Sequence, residues 1–126
     1  MTIKRIVFAN KDYVQDRAAN VAEFINKKQI FPIKFLEKKI NKSFVKENAL
    51  NIISKVFGYR HYSEFCLVTK KNANANANAP FVLSDIDRNE FRNLQLKKLR
   101  QEFQVKDDIF YVSLLNIINP YEWYLS

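Results

Sequence analysis

Glycine is all but missing from this chain, with one residue in 126, and there are only three prolines, one cysteine, one histidine and one tryptophan. So little turn-forming material weighs against an all-β fold, which needs tight turns throughout. It favours helices joined by short polar loops. A single cysteine, Cys66, excludes an intramolecular disulfide and suits a reducing, cytoplasmic setting. Flanked by Phe65 and Leu67, it reads as a buried structural thiol. A zinc-type site draws on several Cys or His ligands; with one of each, no metal or other cofactor is expected. His61 and Cys66 are too awkwardly spaced on a short helix to form a catalytic pair. No apolar run is long enough to cross a membrane, and the N-terminal one is too short for a secretory signal core. There is no glycine-rich phosphate loop, nucleophile elbow or kinase signature. The close pairs Asp12/Asp16, Asp85/Asp87 and Asp107/Asp108 fall near helix starts, where capping and the helix dipole account for them. No enzyme is expected.

What is abundant is apolar and basic. The chain is 48% hydrophobic, with eleven Phe and six Tyr, enough to bury one core. Its net charge of +8 is uneven: residues 1–71 carry +9, and residues 80–126 carry −1. Such asymmetry points to an acidic partner on one side of the molecule, either nucleic acid or an acidic protein surface.

Residues 2–8 read as a short strand or a helical lead-in. Asp12 with Gln15 resembles a capping box, and Val14, Ala18, Val21 and Ile25 then recur at helical spacing over residues 13–28. Pro32 opens a second helix. There Ile33, Leu36 and Ile40 form an apolar stripe, with Lys34, Lys38, Lys39 and Lys42 opposite and Phe35 among the lysines. An aromatic set between cations can stack a base while its neighbours hold phosphates, as in single-strand grooves. It can equally pack on a neighbouring helix. Ser43 is placed to cap a third helix, residues 44–57, whose wide apolar arc marks it as central. Asn48, Asn51, Ser54 and Lys55 are left for its solvent side. Gly58 follows as the left-handed stop, and residues 59–68 read as a fourth helix with Tyr62, Phe65 and Cys66 inward.

Helix, glycine turn, helix is also the outline of a DNA-reading unit. The second helix, however, offers only Arg60, His61, Ser63 and Glu64, and Glu64 would repel phosphate. An ordinary helical hairpin fits better. The segment Ala49-Leu-Asn-Ile-Ile-Ser-Lys-Val-Phe-Gly-Tyr-Arg-His-Tyr-Ser-Glu-Phe65 resembles a helical module of plasmid- and phage-borne accessory proteins. In that module an Ala-Leu helix ends in Leu-Gly-Tyr or Leu-Gly-Phe before a polar residue or two and an aromatic. This chain carries Phe57 in place of the commoner Leu. The resemblance implies a mobile-element origin more than a mechanism.

Four Asn-Ala pairs before Pro80 form a low-complexity linker over residues 72–80, where the charge balance also changes. Beyond it, Ser84 with Asp87 signals a helix over residues 85–104. Its apolar residues Phe91, Leu94, Leu96, Leu99 and Phe103 scatter over more than one face, and Arg88, Arg92, Lys97, Lys98 and Arg100 read as a solvated surface. Residues 109–118, capped by Asp107 or Asp108, are apolar on nearly all sides and read as a core helix or a buried strand. Asn119 and Pro120 then lead into the aromatic tail Tyr121, Trp123 and Tyr124.

The expectation is an all-α compact bundle of five to six helices. A basic subdomain over residues 1–71 is followed by the linker and by a C-terminal subdomain, residues 81–126, packed on the first. The expected function is nucleic-acid binding by a non-enzymatic accessory protein of a mobile element. The contacts would be Lys34, Lys38, Lys39, Lys42, Lys46, Lys55 and Arg60, with Phe35 available to stack. About six such contacts would cost about a thousandfold in affinity between roughly 50 and 200 mM salt. The alternative is a protein-interaction module, for instance an inhibitor of a host defence complex. It would use the same patch on an acidic or nucleic-acid-binding host protein, or dock through the aromatic tail.

Overall fold

The structure, a computed structural model, describes residues 5–37, 43–71 and 85–120. Among them run six helices and no strand: α1 Asp12–Lys28, α2 Ile33–Glu37, α3 Lys46–Val56, α4 Tyr62–Lys71, α5 Asp85–Phe103 and α6 Asp108–Ile118. The fold is an all-α bundle. Lys38, Lys39, Ile40 and Lys42, the Asn-Ala linker, Ser84 and the tail from Tyr121 onward lie outside the described residues, as do residues 1–4.

Helix α1 buries Val14, Ala18, Val21 and Ile25, the expected stripe. Its start differs from the capping box read in the sequence. Asp12 is already helical, and its N–H donates to Asn10 Oδ1 at 2.9 Å, while Gln15 Nε2 donates instead to Tyr62 Oη at 3.1 Å. The start of α3 also differs. Ser43 is exposed and uninvolved; Asn48 Oδ1 accepts the Val45 N–H at 2.9 Å and opens the helix at Lys46. Helix α3 packs against α1, α4 and α5, which is why its buried face is so wide. That width takes in Ser54, expected at the solvent side but fully buried, with its hydroxyl donating to Leu50 O at 2.7 Å. In α6, Asp107 caps by accepting the Phe110 N–H at 3.0 Å, so residues 109–118 are helical. Residues 5–8 are neither strand nor helix. They form an irregular segment pinned where Ile6 N–H donates to Phe57 O at 3.0 Å.

The two chemically different parts of the chain close on each other through α3 with α5 and α1 with α6. Phe57 sits at the junction. Its ring meets Phe8 edge-on at 5.2 Å, Tyr13 edge-on at 6.0 Å and Phe91 face-on at 6.3 Å. A leucine could fill part of this volume but could not make three ring contacts. A second tie is polar. Gln95 and Asn119, each about 1% exposed, exchange two amide hydrogen bonds of 2.8 Å and so fix the end of α6 to the middle of α5. Buried amides this far from water are stable only when paired. Gln95 therefore takes a place in the α5 stripe of Phe91, Leu99 and Phe103 that periodicity reserves for an apolar residue.

With one glycine to spend, the chain uses it where the turn is tightest. Gly58 has φ of 102°, a value that brings a side-chain Cβ against the backbone. Two other helices stop at a left-handed glutamine: Gln29 after α1 at φ 56° and Gln104 after α5 at φ 54°. Gly58→Ala should therefore lose about 1–2 kcal/mol of unfolding free energy, read from urea denaturation. Gln104 is exposed and contributes its backbone to the stop, its N–H donating to Arg100 O at 2.9 Å. Gln104→Gly should gain about 0.5–1 kcal/mol by relieving the left-handed penalty. A loss in that variant would show that the glutamine side chain, not the backbone, terminates α5.

Candidate nucleic-acid interface

Where α3 stops at the Gly58 turn, α5 crosses beside it and leaves an open cleft of about 500 Å³. Five basic residues line it: Arg5 from the N-terminal segment, Lys55 from α3, Arg60 from the turn, and Lys97 and Lys98 from α5. Val56, Gly58, Tyr59, Phe91 and Leu94 form the floor and sides, and Glu64 is the single carboxylate of the lining. Small-molecule pockets are mostly apolar with a few polar groups. Here five cations stand among apolar residues, with Leu94 and Gln101 also exposed.

Each cation is held differently. Arg5 is placed by the same turn that ends α3. Its Nε donates to Gly58 O at 3.4 Å, its Nη2 donates to Glu64 Oε1 at 2.9 Å, and its guanidinium lies over the Tyr59 ring at 4.6 Å. Tyr59 is fixed in turn, its hydroxyl donating to Ile6 O at 2.8 Å. Burial pushes that phenol up to about 12, although the nearby charge of Arg5 opposes the rise. Arg60 is almost free in water and reaches Glu64 only loosely, with Nε to Oε2 at 3.7 Å. Lys55, read in the sequence as a solvent-side contact, is half-buried. Its Nζ lies 2.9 Å from Glu102 Oε1, so a carboxylate from the distal half neutralises it. Lys97 is exposed and Lys98 partly so, and no carboxylate among the described residues pairs with either.

Glu64 knits one wall together. Its Oε1 accepts both the Arg60 backbone N–H at 3.0 Å and the Arg5 guanidinium, while its own N–H donates to His61 Nδ1 at 3.1 Å. This is a capping box shifted by one residue, and it starts α4 at Tyr62 rather than at residue 59. The Arg60 N–H above all, then the charges of Arg5 and Arg60, hold the Glu64 carboxyl below the usual carboxylate range. It is an anion across the neutral range.

The other residues singled out in the sequence lie elsewhere. Lys34 on α2 and Lys46 at the start of α3 are exposed but line no part of the cleft, and Lys38, Lys39 and Lys42 are not among the described residues. Phe35 does not stand among free cations with its ring open. It stacks on Phe31 at 5.3 Å and meets Phe44 edge-on at 5.2 Å, while Leu36, expected inward, is 61% exposed. Helix α2 is a single turn, and the phenylalanines flanking it decide which way it faces. Arg5, Lys97 and Lys98 are the cleft residues that sequence reasoning passed over. The one signal for them was an adjacent lysine pair on a helix whose apolar residues did not resolve into one stripe. Among the described residues, no group of three or more His, Cys, Asp or Glu is placed to hold a metal ion.

The Tyr59 hydroxyl gives a direct check on this wall. A phenol raised above its unfolded value near 10 favours the folded state fully below that pH. The contribution is lost as pH climbs toward about 12. Ultraviolet titration should show a phenolate step near pH 12 that is missing in Tyr59→Phe; loss of a step near 10 instead would show a solvated hydroxyl. No protein-family model, curated protein or solved structure matches this chain.

Proposed function

We propose that the protein is a small, non-enzymatic nucleic-acid-binding protein that holds the phosphodiester backbone in the cleft beside Gly58. Lys97, Lys98 and Arg60 are the principal contacts, with Arg5 on the wall beside them. The observation that carries this reading is convergence: separate parts of the chain deliver five cations to one concave surface, where only Glu64 lines the same wall and Glu102 answers Lys55. A concave surface of one sign concentrates an oppositely charged ligand. The rings lining the cleft are not offered to bases, since Tyr59 is 2% and Phe91 1% exposed. Contacts to phosphate without stacking or base-edge hydrogen bonds carry little sequence information. Binding is accordingly expected to be backbone-directed and weakly selective. An accessory role within a mobile element, implied by the resemblance of residues 49–65, belongs to the same proposal, as does a location in the cytoplasm. No helix among the described residues is long and apolar enough to cross a membrane.

The salt dependence is set by the cations left unneutralised. Three phosphate contacts give a slope near −2.7 in log K against log salt, or about a fortyfold loss between roughly 50 and 200 mM. That is shallower than six contacts would give, because Lys55 is already paired, Lys34 and Lys46 line no part of the cleft, and Lys38, Lys39 and Lys42 are not among the described residues. Fluorescence polarisation with duplex and single-stranded DNA and RNA measures it. A Lys97→Glu/Lys98→Glu variant should lose binding at 50 mM salt. Retained binding there, with loss in Lys38→Glu/Lys39→Glu/Lys42→Glu, would move the interface to the lysines after α2. No binding to any nucleic acid at low salt, with a nuclease-resistant partner captured from host lysate, would instead favour docking on an acidic or nucleic-acid-binding host protein.

A further inference from the structure

We infer that Glu64 is a resident anion in the cleft, occupying the place of one phosphate, and that it sets the protein's affinity by competing with the ligand for Arg5 and the Arg60 N–H. The inference rests on the proposed backbone binding and names the residue that limits it. The donors converging on the Glu64 carboxylate form the kind of set that holds a phosphate: a guanidinium at 2.9 Å, a backbone N–H at 3.0 Å and a second guanidinium at 3.7 Å. Charged donors around an oxyanion serve carboxylate and phosphate alike. The wall is prebuilt. Arg5 lies over the Tyr59 ring and is anchored to Gly58 O, so its guanidinium would remain in position if the carboxylate swung away. Arg60, with its side chain 86% exposed, can turn toward either anion. The α5 side of the cleft, Lys97 and Lys98, carries no such occupant among the described residues. A backbone entering the cleft therefore meets free lysines on one side and, on the other, arginines already engaged. It gains the second wall only by displacing Glu64 or by tolerating its repulsion.

Exchange of Glu64 for glutamine separates charge from structure. Glutamine keeps an oxygen able to accept the Arg60 N–H, and it serves at this position of a capping box. Measured on the full-length chain with a duplex of about twenty base pairs, Glu64→Gln should bind more tightly at 50 mM salt. Its salt slope should also steepen by about one, as one further phosphate contact requires. Adding Arg5→Met to that variant should abolish the gain. Unchanged or weaker binding by Glu64→Gln, with melting behaviour preserved, would overturn the inference and make Glu64 a positioning residue for the arginines. If Lys97→Glu/Lys98→Glu also binds normally, the backbone-binding reading itself fails. A measurement on the wild-type protein covers the case of a poorly folded variant. On titrating the duplex, the Arg60 amide and Arg5 Nε resonances should shift together and saturate with the complex. Arginine resonances that stay still while the binding isotherm saturates would equally overturn it.

Discussion

Closure of the turn at Gly58 is the constraint from which both the core and the cleft follow. Within a few residues, Gly58 N–H donates to Lys55 O at 3.1 Å, Tyr59 N–H donates to Ser54 O at 3.0 Å, and Phe57 O accepts the Ile6 N–H at 3.0 Å. These bonds use up orphan carbonyls that the end of any helix leaves behind. In doing so they bind three stretches that are remote in sequence: the N-terminal segment, the end of α3 and the approach to α4. The chain can turn this sharply only because residue 58 has no side chain. The reversal drives Phe57 inward among Phe8, Tyr13 and Phe91 and leaves the polar backbone of the turn facing the cleft.

The cleft is thus a by-product of how the core is sealed. Arg5 arrives at its wall because Ile6 is pinned to Phe57, not because of any preference of its own. Tyr59 is drawn under Arg5 because its hydroxyl satisfies Ile6 O, a carbonyl that would otherwise be buried without a partner. On the other side, α5 lies against α3 through the Phe57–Phe91 ring contact and the Lys55–Glu102 ion pair, and its lysines at 97 and 98 line the same space. Coupling of this kind has a consequence for mutation. Changes in the turn are expected to alter stability and the arrangement of charge together, whereas a change at the exposed Lys97 is expected to alter chiefly charge.

Much of the fold was legible in the sequence, and the reasons are local. The α1, α5 and α6 segments are long or strongly apolar, and their boundaries in the structure fall within a residue or so of those read from the sequence, although for α6 the sequence left helix and buried strand both open. Gly58 was legible as a helix stop because left-handed geometry and the absence of a side chain are the same fact. What could not be read were features that depend on a neighbour. The facing of α2 turned on Phe31 and Phe44, which five helical residues could not outweigh. Gln95 belongs to the buried stripe only because Asn119 meets it from twenty-four positions away. Lys55 looked like a solvent-side cation until Glu102 supplied a carboxylate. The site was harder still. Charge counted along the chain assigned the basic excess to residues 1–71, yet the cleft draws two of its five cations from α5, in the half whose net charge is slightly negative. Net charge is a property of a segment, and an electrostatic surface is a property of a fold.

The two walls also differ in how their charge is held, and that difference bears on what a ligand experiences. Arg5 is stacked, hydrogen-bonded and ion-paired, so little side-chain entropy remains to be lost when it meets an anion. Lys97 is exposed and without a carboxylate among the described residues, so it offers charge without a fixed geometry. An ammonium on a flexible stem follows a phosphate wherever it lies, whereas a guanidinium fork demands a particular orientation. A backbone approaching this cleft would first be attracted by the lysines, over a range that salt screens to about 10 Å at 0.1 M. It would be oriented only on reaching the arginines. Under the proposed backbone binding, capture would fall to the lysines of α5 and orientation to the arginines, and the carboxylate between the arginines would act on the second step rather than the first.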